Sequence, residues 1–515
     1  MSLAKAYSIS LFGLGGKLIE VEADISSNLP NFVLVGLPDA SLSEATARVR
    51  SACSNSGLAL PGRRITVNLS PASVPKHGSG FDLAIAMSVL AASGVLNSQS
   101  VSRFVHFGEL GLDGLVRPIG GVLPMLLAAK RAGFKRAVVP LANRFEAELV
   151  EGVEVIAVAN LAEVARLHGA DVAVAERQPE FEQAVAETQS AQLCMSEVYG
   201  QEELVEAMVL AAAGRHHLLM VGPPGSGKTM LAERLPTILP QLTVEEALES
   251  AAVRSIAKPD GLASLDRLAP FQAPHHSSSM VAMVGGGVGI PKPGLISLAH
   301  NGVLFLDEAP EFSSQTLESL RQPLESGKVV INRAAGSAWF PARFQLALAA
   351  NPCPCGNFTS RSSKCTCTSS QRTKYLTKLS GPLLDRIDVR LEVRQASPAA
   401  IATSRLQPGP TSEQLRHRVA LAREAARLRL QATPWRANAE VSGAYLRKHL
   451  RPDRKATERL DTALTRGLIS MRGYDRCLRL AWTSADLAGR ASVSAEDVLR
   501  ALSLRGHQEG ETRAV

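Results

Sequence analysis

No run of apolar residues in this 515-residue chain reaches the roughly 18 to 20 that a membrane-spanning helix needs, so no membrane partner is expected. The N-terminus, "MSLAKAYSISLFGLGG", has no basic start, no long apolar core and no clear cleavage site, which argues against a secretory leader. Cysteine is scarce, at seven residues. A cytoplasmic location is expected, where thiols stay reduced and a disulfide framework is disfavoured. No short tandem repeat is visible. At 45% hydrophobic and 20% charged, the chain can bury sizeable cores, and its length fits three or four domains.

The net charge of +8 is unevenly spread. Residues 401–515 carry 21 Lys and Arg against 12 Asp and Glu, while the rest of the chain is close to neutral. A basic C-terminal segment on a neutral body fits a polyanion partner, with a solvated basic helix face as the alternative.

Residues 1–170 alternate strand-like runs ("FVLVGLP", "RITVNLS", "RFVHFGELGL", "RAVVPL", "VEVIAVAN") with helix-like runs ("SLSEATARVRSACSNSG", "DLAIAMSVLAASG"), the pattern of a mixed α/β domain. Residues 171–192 read as a polar linker, 193–395 as a second α/β unit, and 396–411 as a Pro/Ser/Ala-rich linker. Residues 412–515 read as helices, two of which open on cap-like residues.

The second unit holds the motifs. "HLLMVGPPGSGKTMLAERL" sets Gly222, Pro223, Pro224, Gly225, Ser226, Gly227, Lys228 and Thr229 between an apolar strand and a helix. Glycines let the loop curl so that its N–H groups and the helix N-terminus face phosphate oxygens, with Lys228 on the β- and γ-phosphates and Thr229 on Mg²⁺. ATP and Mg²⁺ are therefore the expected cofactors. "GVLFLDEAPEF" ends a strand on Asp307, a second Mg²⁺ ligand, and Glu308, a carboxylate placed to polarise the attacking water. "FQLALAAN" ends a third strand on Asn351, which can point at the nucleotide or simply start a turn. "LSGPLLDRIDVRLEV" supplies Arg386, either a guanidinium offered to a neighbouring subunit's phosphates or a surface ion pair with Asp385 or Asp388. In "ISMRGYDRCLRLAW", Arg472, Arg476 and Arg479 recur at helical spacing, and one can touch the γ-phosphate from a helical lid.

Four of the seven cysteines lie in "NPCPCGNFTSRSSKCTC". Cys353, Cys355, Cys365 and Cys367 are candidates for a tetrahedral Zn²⁺ site, although Cys-x-Cys is tighter than the usual ligand gap. Four free thiols in a surface loop are the alternative.

The stretches "PHHSSSMVAMVGGG", "PKPGLISLAHNGVLFLDEAPEF", "PARFQLALAANPCPCG" and "LSGPLLDRIDVR" resemble the magnesium-chelatase-like AAA+ ATPases of the YifB/ComM group, over nearly the whole chain. The resemblance implies a Lon-protease-like α/β N-terminal domain, a P-loop AAA+ core and an all-α C-terminal lid. It makes 222–229 the Walker A loop, Asp307 and Glu308 Walker B, Asn351 sensor 1, Arg386 the arginine finger and Arg472 sensor 2. It implies a homo-oligomer, a hexameric ring. Residues 280–294 resemble a helix-2 insert and 329–344 a hairpin before sensor 1, loops that line the pore in related motors. Lys292 and Arg333 would there meet a DNA backbone. Leu295 stands where the family pattern expects Glu. Against the Lon pattern, Gly80 falls at the nucleophile position and Met125 at the base position, so proteolysis is not expected.

The leading functional expectation is an ATP-driven DNA helicase promoting branch migration as single-stranded or branched DNA is integrated during natural transformation. The alternatives are a chelatase motor subunit and a protein-remodelling ATPase.

Overall fold

The structure, a computed structural model, describes residues 3–36, 42, 44–76, 78–174, 193–258, 261–287, 291–333, 336–358 and 365–506. Most of the expected first linker, residues 175–192, lies outside the described residues.

The N-terminal unit is built on a seven-stranded mixed sheet. At its centre is an antiparallel hairpin of Ala4–Phe12 and Gly15–Ser26, which the strand-like runs of the sequence did not include. Helix Asp82–Ala92 is buried along its whole length beneath the sheet. That explains why apolar residues occur on every side of it, with only Asp82 and Ser88 polar.

The second α/β unit is a five-stranded, fully parallel sheet in the spatial order Phe271–Gln272, Val303–Leu306, Gln345–Ala350, Leu218–Val221, Val389–Glu392. The sequences "VLFL" and "QLALAA" are buried at every position, as strands covered on both faces must be. Register places the carboxyl ends of the three middle strands together: Val221 pairs with Ala350, and Leu306 with Leu348. The next residues along each strand are Gly222, Asn351 and Asp307. In open α/β sheets, ligands bind at that edge.

The C-terminal helices include Ser412–Leu430, Arg454–Thr465, Met471–Leu487 and Ala495–Ser503. Ser412–Leu430 begins with a capping box between Thr411 and Gln414, and Ala495–Ser503 with one between Ser494 and Asp497. One hydrophobic core runs without a break from helix Glu202–Gly214 into these helices, through Met208, Val419, Leu478 and Ala485. A buried polar chain crosses the same joint. His216 meets Asp388 through Nδ1 at 3.0 Å and Thr483 through Nε2 at 2.8 Å, and Arg476 lies 3.5 Å from Asp388.

The 396–411 stretch, read as a linker, contains a helix instead, Pro398–Leu406. Ser397 caps it, and Ser404 accepts from the Gly200 N–H at 2.9 Å, so the segment is fastened to the core. The N-terminal unit is also fastened: Ala251, Ala252 and Leu262 of the second unit share a hydrophobic cluster with Leu123 and Leu126. No helix among the described residues is long and apolar enough to cross a membrane.

Candidate nucleotide site and its surroundings

Strand Leu218–Val221 runs into the loop and then into helix Lys228–Arg234. Gly225 and Gly227 take left-handed φ of 72° and 92°, which curls the loop. At Gly222 a Cβ would lie 2.1 Å from Val393 O, so only glycine fits there. The Lys228 ammonium folds back over the loop, donating to Gly222 O at 2.7 Å, Pro223 O at 2.9 Å and Asn351 Oδ1 at 3.2 Å. Burial holds its pKa below the ordinary lysine value, with Asp307 and Glu308 opposing that shift. These acceptors are neutral and weak for an ammonium group, so an incoming phosphate can outcompete them.

The Thr229 hydroxyl donates to Asp307 Oδ2 at 2.6 Å. Two hard oxygen donors at this separation fit Mg²⁺, which prefers oxygen ligands from one or two protein groups. Glu308 follows in a left-handed conformation, φ 49°, rare for a residue with a side chain. Its carboxylate stands free of the strand, with His276 Nδ1 3.8 Å away.

Gln201 was not singled out from the sequence. Its side-chain amide donates to Ser226 O at 2.8 Å and to Arg394 O at 3.2 Å, pinning the loop to the strand end. His276 was quoted only within a longer matching stretch. Neither residue sits in a repeat or a spacing pattern that a single sequence makes visible.

Arg386 and Arg472 are not drawn to this loop. Arg386 is ion-paired with Glu325 and donates to Pro382 O, rather than pairing with Asp385 or Asp388. Arg472 is exposed and lies 3.3 Å from Asp385. The other two arginines of that helical stripe are tied into the fold: Arg476 donates to Ile387 O and Arg479 to Val441 O. Arg386 precedes strand Val389–Glu392 and so lies at the amino edge of the sheet, opposite the phosphate loop.

The two inserts approach each other. Helix Met280–Val284 leads to a short pairing of Gly285–Gly286 with Lys292–Pro293; residues 288–290 of this insert lie outside the described residues. Strands Lys328–Arg333 and Gly336–Pro341 form the second hairpin, with 334–335 likewise outside. The hairpins meet: Arg333 Nη2 would lie 3.2 Å from a Cβ at Gly286. Lys292 and Arg333 are both exposed. Leu295 packs against the apolar cluster that includes Met283 and Ile296, so the insert is anchored by hydrophobic burial where the family pattern has a carboxylate.

In the N-terminal unit, Gly80 and Met125 line one cavity of about 230 Å³, together with Ser79, Glu109 and Gly120. Ser79 Oγ hydrogen-bonds the Glu109 carboxylate. No lysine among the described residues lines this cavity, so a Ser–Lys dyad has no base there.

The four cysteine sulfurs converge within 4.8 Å of one another, and all four thiols are free.

A parallel five-stranded sheet with a phosphate-loop helix, an Asp–Glu strand end and a helical lid defines a P-loop protein of the AAA+ class. The family description "Magnesium chelatase, subunit ChlI" matches residues 194–401, with "Subunit ChlI of Mg-chelatase" matching 21–143 and "Magnesium chelatase, subunit ChlI C-terminal" matching 409–505. The chain is 40% identical over 507 residues to "Competence protein ComM" of Haemophilus influenzae, covering 98% of each chain. It is 38% identical over 505 residues to "Uncharacterized protein YifB" of Escherichia coli, covering 98% of this chain and 97% of the other. A Lon protease of Salinispora arenicola is 33% identical over 175 residues, 32% of this chain and 22% of that one. The chain belongs to the YifB/ComM family of magnesium-chelatase-like AAA+ proteins.

Proposed function

We propose that this chain is an ATP hydrolase that assembles as a homo-oligomeric ring, a hexamer, and drives DNA branch migration during integration of transforming DNA. The observation that carries the ATPase part is the convergence of Lys228, Thr229, Asp307 and Asn351 at one strand edge. Lys228 exchanges its loop carbonyls for the β- and γ-phosphates. Thr229 and Asp307 would hold Mg²⁺, which when bound neutralises charge on the phosphoryl oxygens. Glu308 orients and polarises the attacking water, and Asn351 holds Lys228 and the γ-phosphate in register.

Arg386 acts on a neighbouring subunit's phosphate, because its own chain's loop lies at the opposite edge of the sheet. An oligomer follows from that need, and a closed ring gives every subunit such a neighbour. The pairing of Arg472 with Asp385 places it on the same face, so its action is also read as toward the neighbour. Lys292 and Arg333, at the meeting point of the two inserts, are the cations offered to a DNA backbone in the pore. A relative named as a competence protein supports DNA as the cargo. Binding of a branched DNA with displacement of one strand, driven by ATP and not by a non-hydrolysable analogue, tests the reading.

The family description as a chelatase subunit favours one other reading, a motor that acts on a partner protein instead of DNA. In that case DNA leaves the ATPase rate unchanged.

A further inference from the structure

We propose that Cys353, Cys355, Cys365 and Cys367 hold one structural zinc ion, and that the zinc knuckle backs the phosphate loop. The sulfur geometry is that of a metal cage. Cys353 and Cys355 Sγ lie 3.3 Å apart, and each lies 3.7 Å from Cys365 Sγ. Four sulfurs at about 2.3 Å from a central zinc sit about 3.8 Å from one another, whereas a disulfide needs about 2 Å.

The segment needs such a crosslink. Among its described residues, 352–358 and 365–368, only Cys353 and Gly356 are buried. Phe358 is exposed, with the Arg372 guanidinium 4.2 Å from its ring centroid. A segment with so little apolar burial cannot offset the entropy of ordering its backbone. Metal binding supplies that free energy directly.

The backbone curls around the sulfurs. The Cys353–Gly356 turn closes through a 2.9 Å bond from Gly356 N–H to Cys353 O, with Gly356 at φ 76°. Backbone N–H groups of Asn357 and Thr366 face Cys355 Sγ, and that of Phe358 faces Cys353 Sγ. Amides aimed at sulfur hold the ligating atoms in place.

The knuckle sits where it can act on the phosphate loop. A Cβ at Gly356 would lie 2.6 Å from Pro224 Cδ, so the turn is in direct contact with that loop. One end of the knuckle leaves Asn351. The other enters helix Ser369–Leu376, where Arg372 donates to Cys367 O at 3.1 Å and Tyr375 is buried. Zinc would therefore fix the distance between Asn351, Pro224 and the helix that leads toward Arg386. This second part rests on the nucleotide-site reading; the metal site does not.

The test begins with the full-length protein, purified under reducing conditions without chelator. Elemental analysis is expected to find about one zinc per chain. Exchange with Co²⁺ is expected to give the intense visible bands of a tetrahedral thiolate site. Cys353→Ser is expected to lose the metal, and Cys194→Ser, a thiol outside the cluster, to keep it. A metal-free wild-type protein, a protein loaded with iron, or full zinc in Cys353→Ser would each overturn the site. Gly356→Ala is expected to keep zinc while weakening ATP binding about tenfold. Unchanged ATP affinity in a zinc-loaded Gly356→Ala protein would overturn the backing of the loop, and would leave both the zinc site and the ATPase reading standing.

Discussion

Arg472 Nη1 lies 3.3 Å from Asp385 Oδ2, so the arginine of the helical lid and its neighbour in space, Arg386, share one face of the molecule. On the proposed reading, each acts on a nucleotide held by a second subunit. Arg386→Ala and Arg472→Ala are expected to bind ATP normally while losing hydrolysis, by on the order of 10³-fold for Arg386. Mixing Arg386→Ala with Lys228→Ala subunits is expected to restore part of the rate, because each supplies what the other lacks. Rings that form from the mixture yet recover nothing would show that Arg386 does not work across the interface.

Lys228 and Glu308 separate binding from chemistry. Lys228→Ala is expected to abolish tight ATP binding, because the ammonium is the main positive charge at the loop. Glu308→Gln is expected to keep binding and to slow hydrolysis by about 10² to 10⁴-fold, since only water activation is lost. A Glu308→Gln protein that turned over ATP at the wild-type rate would remove the carboxylate from the mechanism.

The curled loop between strand Leu218–Val221 and helix Lys228–Arg234 was legible in the sequence because its glycines stand at fixed spacing between an apolar strand and a helix. Parallel strands buried on both faces announced themselves as "VLFL" and "QLALAA". The central hairpin was not legible. In Ala4–Phe12, Ser8 to Leu11 are all buried, and two of those positions are serines, which erases the alternation that marks a strand. Ser10 is satisfied by Pro75 O, a contact 65 residues away that no local window contains. Helix Pro398–Leu406 was hidden for a different reason: a Pro at the first turn suits a helix start, yet a Pro/Ser/Ala composition also suits a linker. The Glu325 partner of Arg386 and the Asp385 partner of Arg472 are tertiary facts of the same kind.

Lys292 and Arg333 are expected to couple hydrolysis to DNA movement. The double substitution Lys292→Ala with Arg333→Ala should reduce strand displacement several-fold more than the basal ATPase rate. DNA affinity of the wild type should fall steeply with salt, as bound cations replace condensed counterions. Equal loss of both activities would mean the inserts only hold subunits together.

Buried histidines contribute to the loss of stability in acid. Burial lowers the pKa of His168 and of His217 to about 4 each, from 6.5. His106, whose Nε2 is 3.1 Å from His168 Nε2, is pushed well below its ordinary value by burial and by His168. The unfolded chain binds protons here before the folded one does, so stability is full above about pH 6.5 and falls as pH drops from there to about 4. Urea midpoints measured across that range should decline, and His168→Gln should flatten the decline. A midpoint that stayed constant from pH 7 to 4.5 would contradict this assignment.

The central claim is a motor whose cargo is DNA, and the steady-state ATPase rate tests it most directly. The rate is to be measured with the full chain alone and with single-stranded DNA, duplex, branched DNA or an unfolded protein added. Stimulation by single-stranded or branched DNA, severalfold above the other additions and lost in Glu308→Gln, is the predicted result. A rate raised by unfolded protein and unmoved by every DNA would contradict it.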